Sequence, residues 1–431
     1  MSIIVLTGCG NDYKWDTDNT SPLEGKYETR NVSLDLTREE KVLALKSKTQ
    51  NFFYSNYVPG LSLSVIFDDN STFNVAYGCA KLRDDVEKSA ILNYESGPNA
   101  NCEEKLLPTH RFKIGSLTKT TVARTILDID DNAEFDFDIN DPITKHLPKR
   151  ILDMGNLSGI TVKNLLHHTS GLPNVDYKPR TAEDMIRVLL KKKKLFKPGQ
   201  TYRYTNSNFV FLGQIIEHVT GSKYWQVEVN KRIAESIGKD NSFIFPEPQN
   251  PNWLETRATA WLINKENTLL EGNSSLVIGY DHNKTASTFI SLRKTSGADI
   301  ADAAGSAIAS TIDISKWFKG VATNDSHLLT DKYFLENIER INTDTYEDIY
   351  IGNPTWNTGS GLFFEQAENV LWHLGNFNGY ACSAIYSKNE KVTISACINQ
   401  SGNLSKLNFD LLSSIYPYRK EFLPKKTSTS H

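Results

Sequence analysis

The chain has 431 residues, 39% hydrophobic and 23% charged, a length and balance that fit a soluble globular protein with a large core and more than one structural unit. A net charge of −3 excludes the basic field that holds nucleic acid, and no apolar run reaches the length of a membrane-spanning helix. The lysine run Lys191–Lys194 follows the periodic segment DMIRVLL and reads as the solvated end of a helix.

The N-terminus, MSIIVLTGCG, carries a short apolar run into Leu6-Thr7-Gly8-Cys9. It resembles a bacterial lipoprotein cleavage box, whose cysteine takes the lipid. The charged n-region is missing and the apolar run is short of a complete signal, so a disordered or stranded start without lipid is the competing reading. Residues 10–34 are polar and suit a tether. The box predicts a protein of the bacterial cell envelope, periplasmic or lipid-anchored, with Cys9 as its membrane tether.

LTREEKVLALKSKTQNFF has helical periodicity, and Thr37 and Glu40 are spaced as a capping box. GLSLSVIF and STFNVAYG alternate and are joined by Asp-Asp-Asn, which predicts an antiparallel hairpin. Residues 80–110 are polar and irregular. A helix is predicted from near Ser116 through TKTTVARTILDI, and the pattern stays mostly helical to about residue 285. TVKNLLHHT, TAEDMIRVLLKKKK and SNFVFLGQIIEHVTG belong there, the last stopped by Gly221. SAIASTIDISKWFKGV reads as a helix, GSGLFFEQ, NVLWHL, YACSAIYS and KVTISACIN as strands, and NLSKLNFDLLSSIY as a closing helix.

Sheet-forming segments at both ends and helical ones between them predict an α/β fold of the α+β sandwich type. One antiparallel sheet is built from both chain ends and flanked by helices, with a mostly helical domain inserted. The predicted boundaries are 1–34 for signal remnant and tether, 35–120 with 286–420 for the sheet domain, 121–285 for the insert and 421–431 for a C-terminal tail. A site is expected between the two lobes. Of the five cysteines, Cys382 and Cys397 flank a hairpin turn at Lys388–Lys391, and Cys79 and Cys102 flank a polar loop. Disulfides of an oxidising compartment and buried free thiols both fit. The absence of a C-x-x-C pair speaks against zinc, and no cofactor is implied.

Three segments carry residues suited to chemistry. Ser116 and Lys119 are three apart at a predicted helix start, hence on one face. A serine hydroxyl needs an adjacent base to act as nucleophile, and burial lowers a lysine pKa toward that role. Tyr204 and Asn206 lie in a loop just before a helix, where a phenol near cations can exchange protons and an amide can bind a carbonyl. His373-Leu374-Gly375 lies between strand-like runs. There Gly375 would let a substrate backbone approach, and the N–H groups of Asn376 and Ser116 could hold an oxyanion. Each segment alone is better explained as a surface helix turn, a core tyrosine with a capping asparagine, or a structural histidine.

Their order resembles a known family. PGLSLSVIFD, FKIGSLTKTTVA, FDINDPITKHLPK, ITVKNLLHHTSGLPN, FKPGQTYRYTNSNFVFLGQIIEHVTG, AAGSAIASTIDISKW and HLGNFNG are similar, segment by segment, to the serine β-lactamase and penicillin-binding protein superfamily, in its class C β-lactamase, DD-peptidase and esterase branch. The resemblance covers roughly residues 40–415 and implies a β-lactamase/transpeptidase-like fold. By it Ser116 is the nucleophile, Lys119 and Tyr204 the proton-transfer pair, Asn206 a substrate-binding residue, and His373 the residue in place of the lysine of the K-T-G box. It implies an acyl-enzyme, no metal, and a small-molecule or peptide substrate. Either Lys119 or Tyr204 could be the formal base. His168-Thr169-Ser170-Gly171 corresponds to a structural turn. Lys294-Thr295-Ser296-Gly297 imitates the third box but precedes the AGSAIAST segment, which in the family comes first, so it is set aside.

Leu374 departs from the pattern, because family members with Thr or Ser there use the hydroxyl to hold a substrate carboxylate. His373 supplies a cation only when protonated, which its unperturbed pKa allows in part at neutral pH. Three readings follow. The first is a serine hydrolase of a small amide or ester, including D-amino-acid peptides and peptidoglycan-related substrates. The second is a carboxylesterase with incidental β-lactam binding, and the third a non-catalytic penicillin-binding-like protein.

Overall fold

Helix α1 (Arg38–Ser55) begins where the expected capping box forms: the Glu40 N–H donates to Thr37 Oγ1 at 3.3 Å and the Thr37 N–H to Glu40 Oε2 at 2.8 Å. The structure, a computed structural model, describes residues 27–33, 35–89, 92, 94–174, 181–245, 260–263, 269–272, 276–278, 280–283, 288–291, 302–323, 356–358, 360–365, 369–377 and 379–424. After α1 the chain forms β1 (Gly60–Ile66), β2 (Thr72–Leu82) and β3 (Cys102–Lys105). The helices α2 (Thr118–Asp131), α3 (Val162–Leu166), α4 (Ala182–Leu189), α5 (Asn206–Thr220), α6 (Trp225–Ile237) and α7 (Thr311–Thr323) follow. Then come β4 (Trp356–Thr358), β5 (Phe363–Glu365), β6 (Val370–Phe377), β7 (Tyr380–Ser387), β8 (Val392–Ile398) and α8 (Ser405–Ile415).

The eight strands make one sheet in the order β4-β5-β6-β7-β8-β1-β2-β3, antiparallel at every step. Segments from both chain ends therefore meet at the β8–β1 ladder, where Cys397 lies opposite Ser62. One face packs Leu63 of β1, Trp372 and Leu374 of β6 and Ile394 of β8 against Leu45 of α1 and Leu411 of α8. The other packs Cys382 and Ala384 of β7 against Leu117, Val122, Ile126 and Trp317.

The alternate serines of GLSLSVI are no solvent face. Ser62 Oγ lies 2.8 Å from Thr311 Oγ1, Ser315 Oγ donates to the Ser64 carbonyl at 3.1 Å, and Ser395 Oγ donates to the Thr311 carbonyl at 2.7 Å. These bonds satisfy buried hydroxyls and fasten α7 to the sheet. Buried from Ser207 to Ile216, α5 takes the centre of the helical part, touching α2, α3, α4 and α6, and Gly221 ends it at φ 69°.

Two stretches differ from the sequence reading. Within the part predicted mostly helical, Ala260–Ile263 pairs with Leu269–Gly272 and Tyr280–Asn283 with Thr288–Ser291; runs of four residues are too short to carry a period that separates strand from helix. Tyr27–Ser33, polar enough to read as tether, pairs along its length with Tyr418–Pro424, because ladder bonds are made by backbone and composition does not register them. Both cysteine pairs are disulfides, Cys79–Cys102 joining β2 to β3 and Cys382–Cys397 joining β7 to β8, which resolves the choice against free thiols. Cys9 and Lys294–Gly297 lie outside the described residues.

Candidate active site

Phe112 and Lys113 pair with Ile308 and Ala309, and the chain then turns sharply into α2. Gly115 makes that turn at φ 53°, a conformation that suits glycine, and Gly115–Leu117 forms a single 3₁₀ turn. A Cβ on Gly115 would sit 2.6 Å from the Asn376 carbonyl oxygen and 2.8 Å from its nitrogen. The Ser116 turn thus lies directly against the end of β6. A Cβ on Gly375 would come within 1.7 Å of the Ile114 carbonyl oxygen. The space in the Cβ direction of Gly375 is therefore filled by the turn that carries Ser116.

Lys119 is fully buried and its Nζ meets three oxygens: Ser116 Oγ at 2.9 Å, Asn206 Oδ1 at 2.7 Å and the Ala304 carbonyl at 2.6 Å. Burial pushes its pKa well below the usual lysine value. A neutral amine has two N–H donors and one lone pair. In that form, with the two carbonyl oxygens taking the donors, the lone pair would be left for the half-buried Ser116 hydroxyl. Ala304 is a contribution the sequence could not advertise, because only its backbone is used.

Tyr204 is held at the entrance of α5. Thr205 caps the helix, accepting from the Ser207 N–H at 3.3 Å. Asn174 Oδ1 accepts from the Asn206 N–H at 3.0 Å and from Thr205 Oγ1 at 3.3 Å. His168 Nδ1 accepts from the Thr205 N–H at 3.2 Å. The Tyr204 ring centre is 5.0 Å from Lys119 Nζ, 4.4 Å from the His168 ring and 6.4 Å from the His373 ring. Asn174 went unnoticed in the sequence because an asparagine after Leu-Pro reads as loop.

His168 is buried at φ 58°, and burial with the nearby Lys119, His373 and His167 charges holds its pKa well below the ordinary value. Ser170 Oγ donates to Asn208 Oδ1 at 2.6 Å, so the His168–Gly171 turn makes internal packing and hydrogen bonds.

His373 is buried on β6, its Nδ1 against the Leu374 carbonyl. Burial first, and the Lys119 charge second, bring its pKa down to about 3. It is neutral at pH 7, which corrects the expectation of partial protonation there. Leu374 points to the other side of β6, into the core shared with α1 and α8. Asn376 is exposed at the strand end beside the Ser116 turn. Phe363 of β5 was not foreseen as part of the site; its ring stacks on His373 at 5.0 Å and faces Tyr204 at 6.3 Å. Among the described residues no group of three His, Cys, Asp or Glu side chains could hold a metal ion.

Comparison with known proteins bears on the family and the fold. The family model described as Beta-lactamase matches residues 45–412. The chain is similar to Protein flp of Staphylococcus aureus (strain MRSA252), 24% identical over 338 residues that cover 75% of this chain and 56% of that protein; it spans about half the length of the curated relatives it matches. Its fold is similar to D-amino acid amidase from Ochrobactrum anthropi SV3 complexed with D-phenylalanine, with TM-score 0.66, 19% identity, and 87% and 99% of the two chains covered. The octameric penicillin-binding protein homologue from Pyrococcus abyssi gives TM-score 0.65, 21% identity, and 86% and 76% covered. With the family match running over most of its length, the chain belongs to the beta-lactamase family.

Proposed function

We propose that this member of a hydrolase superfamily is a serine hydrolase that works through an acyl-enzyme on a small amide or ester. The contact that carries the reading is the 2.9 Å approach of the buried Lys119 amine, its pKa depressed by burial, to Ser116 Oγ. As Oγ forms its bond to the substrate carbonyl carbon, its proton passes to Lys119 Nζ. The carbonyl electrons move onto oxygen, held by the N–H groups of Ser116 and Asn376. The carbonyl re-forms as the bond to the leaving group breaks, and the leaving nitrogen or oxygen takes the proton through Tyr204. Water then attacks the acyl carbon, and the same pair returns the proton to Ser116. Lys119 is the first base in this scheme because its nitrogen faces Oγ, and Asn206 both orients that amine and offers an N–H to the substrate carbonyl group.

D-Amino-acid amides and peptides are one substrate class, supported by the fold-level likeness to a D-amino acid amidase. Simple esters are favoured by a third segment without a cation or hydroxyl at His373 and Leu374. We further propose an oxidising compartment such as a cell envelope, on the strength of the two disulfides.

The test is rapid-mixing kinetics on nitrocefin, a D-Ala-D-Ala peptide, D-phenylalanine amide and a p-nitrophenyl ester. At least one should give a burst of leaving group equal to the enzyme present, and Ser116→Ala should abolish it. Unchanged hydrolysis in Ser116→Ala would remove Ser116 from the reaction, and a protein inert toward acyl donors and acylating inhibitors alike would be a binding protein.

A further inference from the structure

The corner of the site around Tyr204 has a composition that bears on what leaves. The Phe363 ring leans on buried Trp372 at 4.7 Å, stacks on His373 at 5.0 Å with the planes 28° apart, and faces Tyr204 at 6.3 Å with the planes 27° apart. His373 and Tyr204 are themselves 6.4 Å apart. The Phe363 and His373 rings therefore converge beside Tyr204, the group that returns the proton, with the Trp372 ring behind them. None carries a charge: His373 is neutral at pH 7 and Leu374 is turned into the opposite core. In the scheme above the leaving group must touch Tyr204 to receive its proton, so it departs along this wall.

We infer that the leaving-group side of the cleft takes an uncharged, flat, apolar group, and that Phe363 is the residue that selects it. The proposal rests on the hydrolase reading and narrows it to esters or amides of aryl or similar apolar alcohols and amines, as against substrates whose departing half ends in a carboxylate. Bringing an anion against this wall would strip its water, and the Phe363, His373 and Tyr204 rings themselves offer it no countercharge. An aromatic leaving group instead gains ring contacts worth about 1 kcal/mol each, a factor of about five. The chemistry is unchanged: the acyl–oxygen bond breaks, and the aryloxide oxygen takes the proton from Tyr204.

The test compares phenyl acetate with 3-carboxyphenyl acetate, whose phenols leave with similar pKa values and differ in the carboxylate. The full chain should hydrolyse phenyl acetate with kcat/KM at least about tenfold higher. Phe363→Leu, with bulk kept and the melting temperature checked, should lower the phenyl ester's kcat/KM about fivefold, mainly in KM, and affect the carboxylate ester less. Phe363→Arg, which puts a cation on the wall, should shrink or invert the preference. Equal or faster turnover of the carboxylate ester, or a preference untouched by both variants, overturns the inference. Loss of both activities in Ser116→Ala alongside such a result would leave the hydrolase reading standing. Turnover of neither ester by the unaltered protein counts against both.

Discussion

Lys119 shows how one side chain acquires its chemistry from its surroundings. An amine with no exposure loses the hydration that favours the charged form, and two carbonyl oxygens fix its remaining protons. Its pKa is depressed, and a base works in its deprotonated form. The acid limb of kcat/KM should therefore lie well below the usual lysine value of 10.5, with activity rising as pH climbs through that limb. A limb near 10.5 would mean that the amine is not the base. Lys119→Ala should lower kcat/KM by roughly 10²–10⁴ while the circular dichroism spectrum is kept. Gly375→Ala adds a Cβ within 1.7 Å of the Ile114 oxygen. It should cost about 1–3 kcal/mol of stability in denaturant unfolding and lose activity with it, because the displaced atoms belong to the Ser116 turn. The spacing of Ser116 and Lys119 was legible from helix geometry alone. The state of His373 was not, because its depressed pKa comes first from burial, which appears only once the sheet and the helices have packed.

Helix α5 carries a half-buried carboxyl, Glu217, in addition to presenting Asn206. Glu217 Oε1 accepts from the Trp225 N–H at 3.2 Å and Oε2 from Gln214 Nε2 at 2.8 Å. Burial, with Asp302 nearby and Arg150 opposing, raises its pKa to about 7 from an ordinary 4.5. Between those values the folded protein holds a proton that the unfolded chain has released. This contribution to stability is complete below about 4.5 and is lost as pH rises through about 7. Glu217→Gln should flatten that fall, reducing the difference in unfolding free energy between pH 5 and pH 8 by on the order of 1–2 kcal/mol. An unaltered pH profile in the variant would show that Glu217 titrates normally. Strong periodicity made α1, α5 and the strands β6–β8 readable, since each has an apolar pattern long enough to fix its type. The pairings of Ala260–Ile263 with Leu269–Gly272 and of Tyr280–Asn283 with Thr288–Ser291 were not readable because four residues carry no decisive period, and that of Tyr27–Ser33 with Tyr418–Pro424 because its partner is distant in sequence.

The molecule closes its sheet with the two halves of the chain and brings the Ser116 turn, the α5 entrance and β6 to one place. Cross-links reinforce both parts of that sheet. Cys382 lies opposite Gly375 on one side and opposite Cys397 on the other, so one disulfide runs through the sheet immediately behind the site. The Cys79–Cys102 bridge spans 23 residues at the far edge. Loop-closure entropy gives such a bridge about 3 kcal/mol, so a Cys79→Ser/Cys102→Ser variant should lose roughly that much stability and keep its kcat. A large drop in kcat at temperatures where the variant is folded would tie that edge to the site. The family resemblance made the location of the site legible, because its segments keep their order along the chain, but which groups lie behind it became visible only with the strand register.

The most direct measurement is peptide mass mapping after labelling with a fluorophosphonate and with a fluorescent penicillin. The expected result is one adduct, on Ser116, suppressed in Lys119→Ala. An adduct on Ser170 or Ser296, with Ser116 unmodified, would contradict the assignment of Ser116 as the nucleophile.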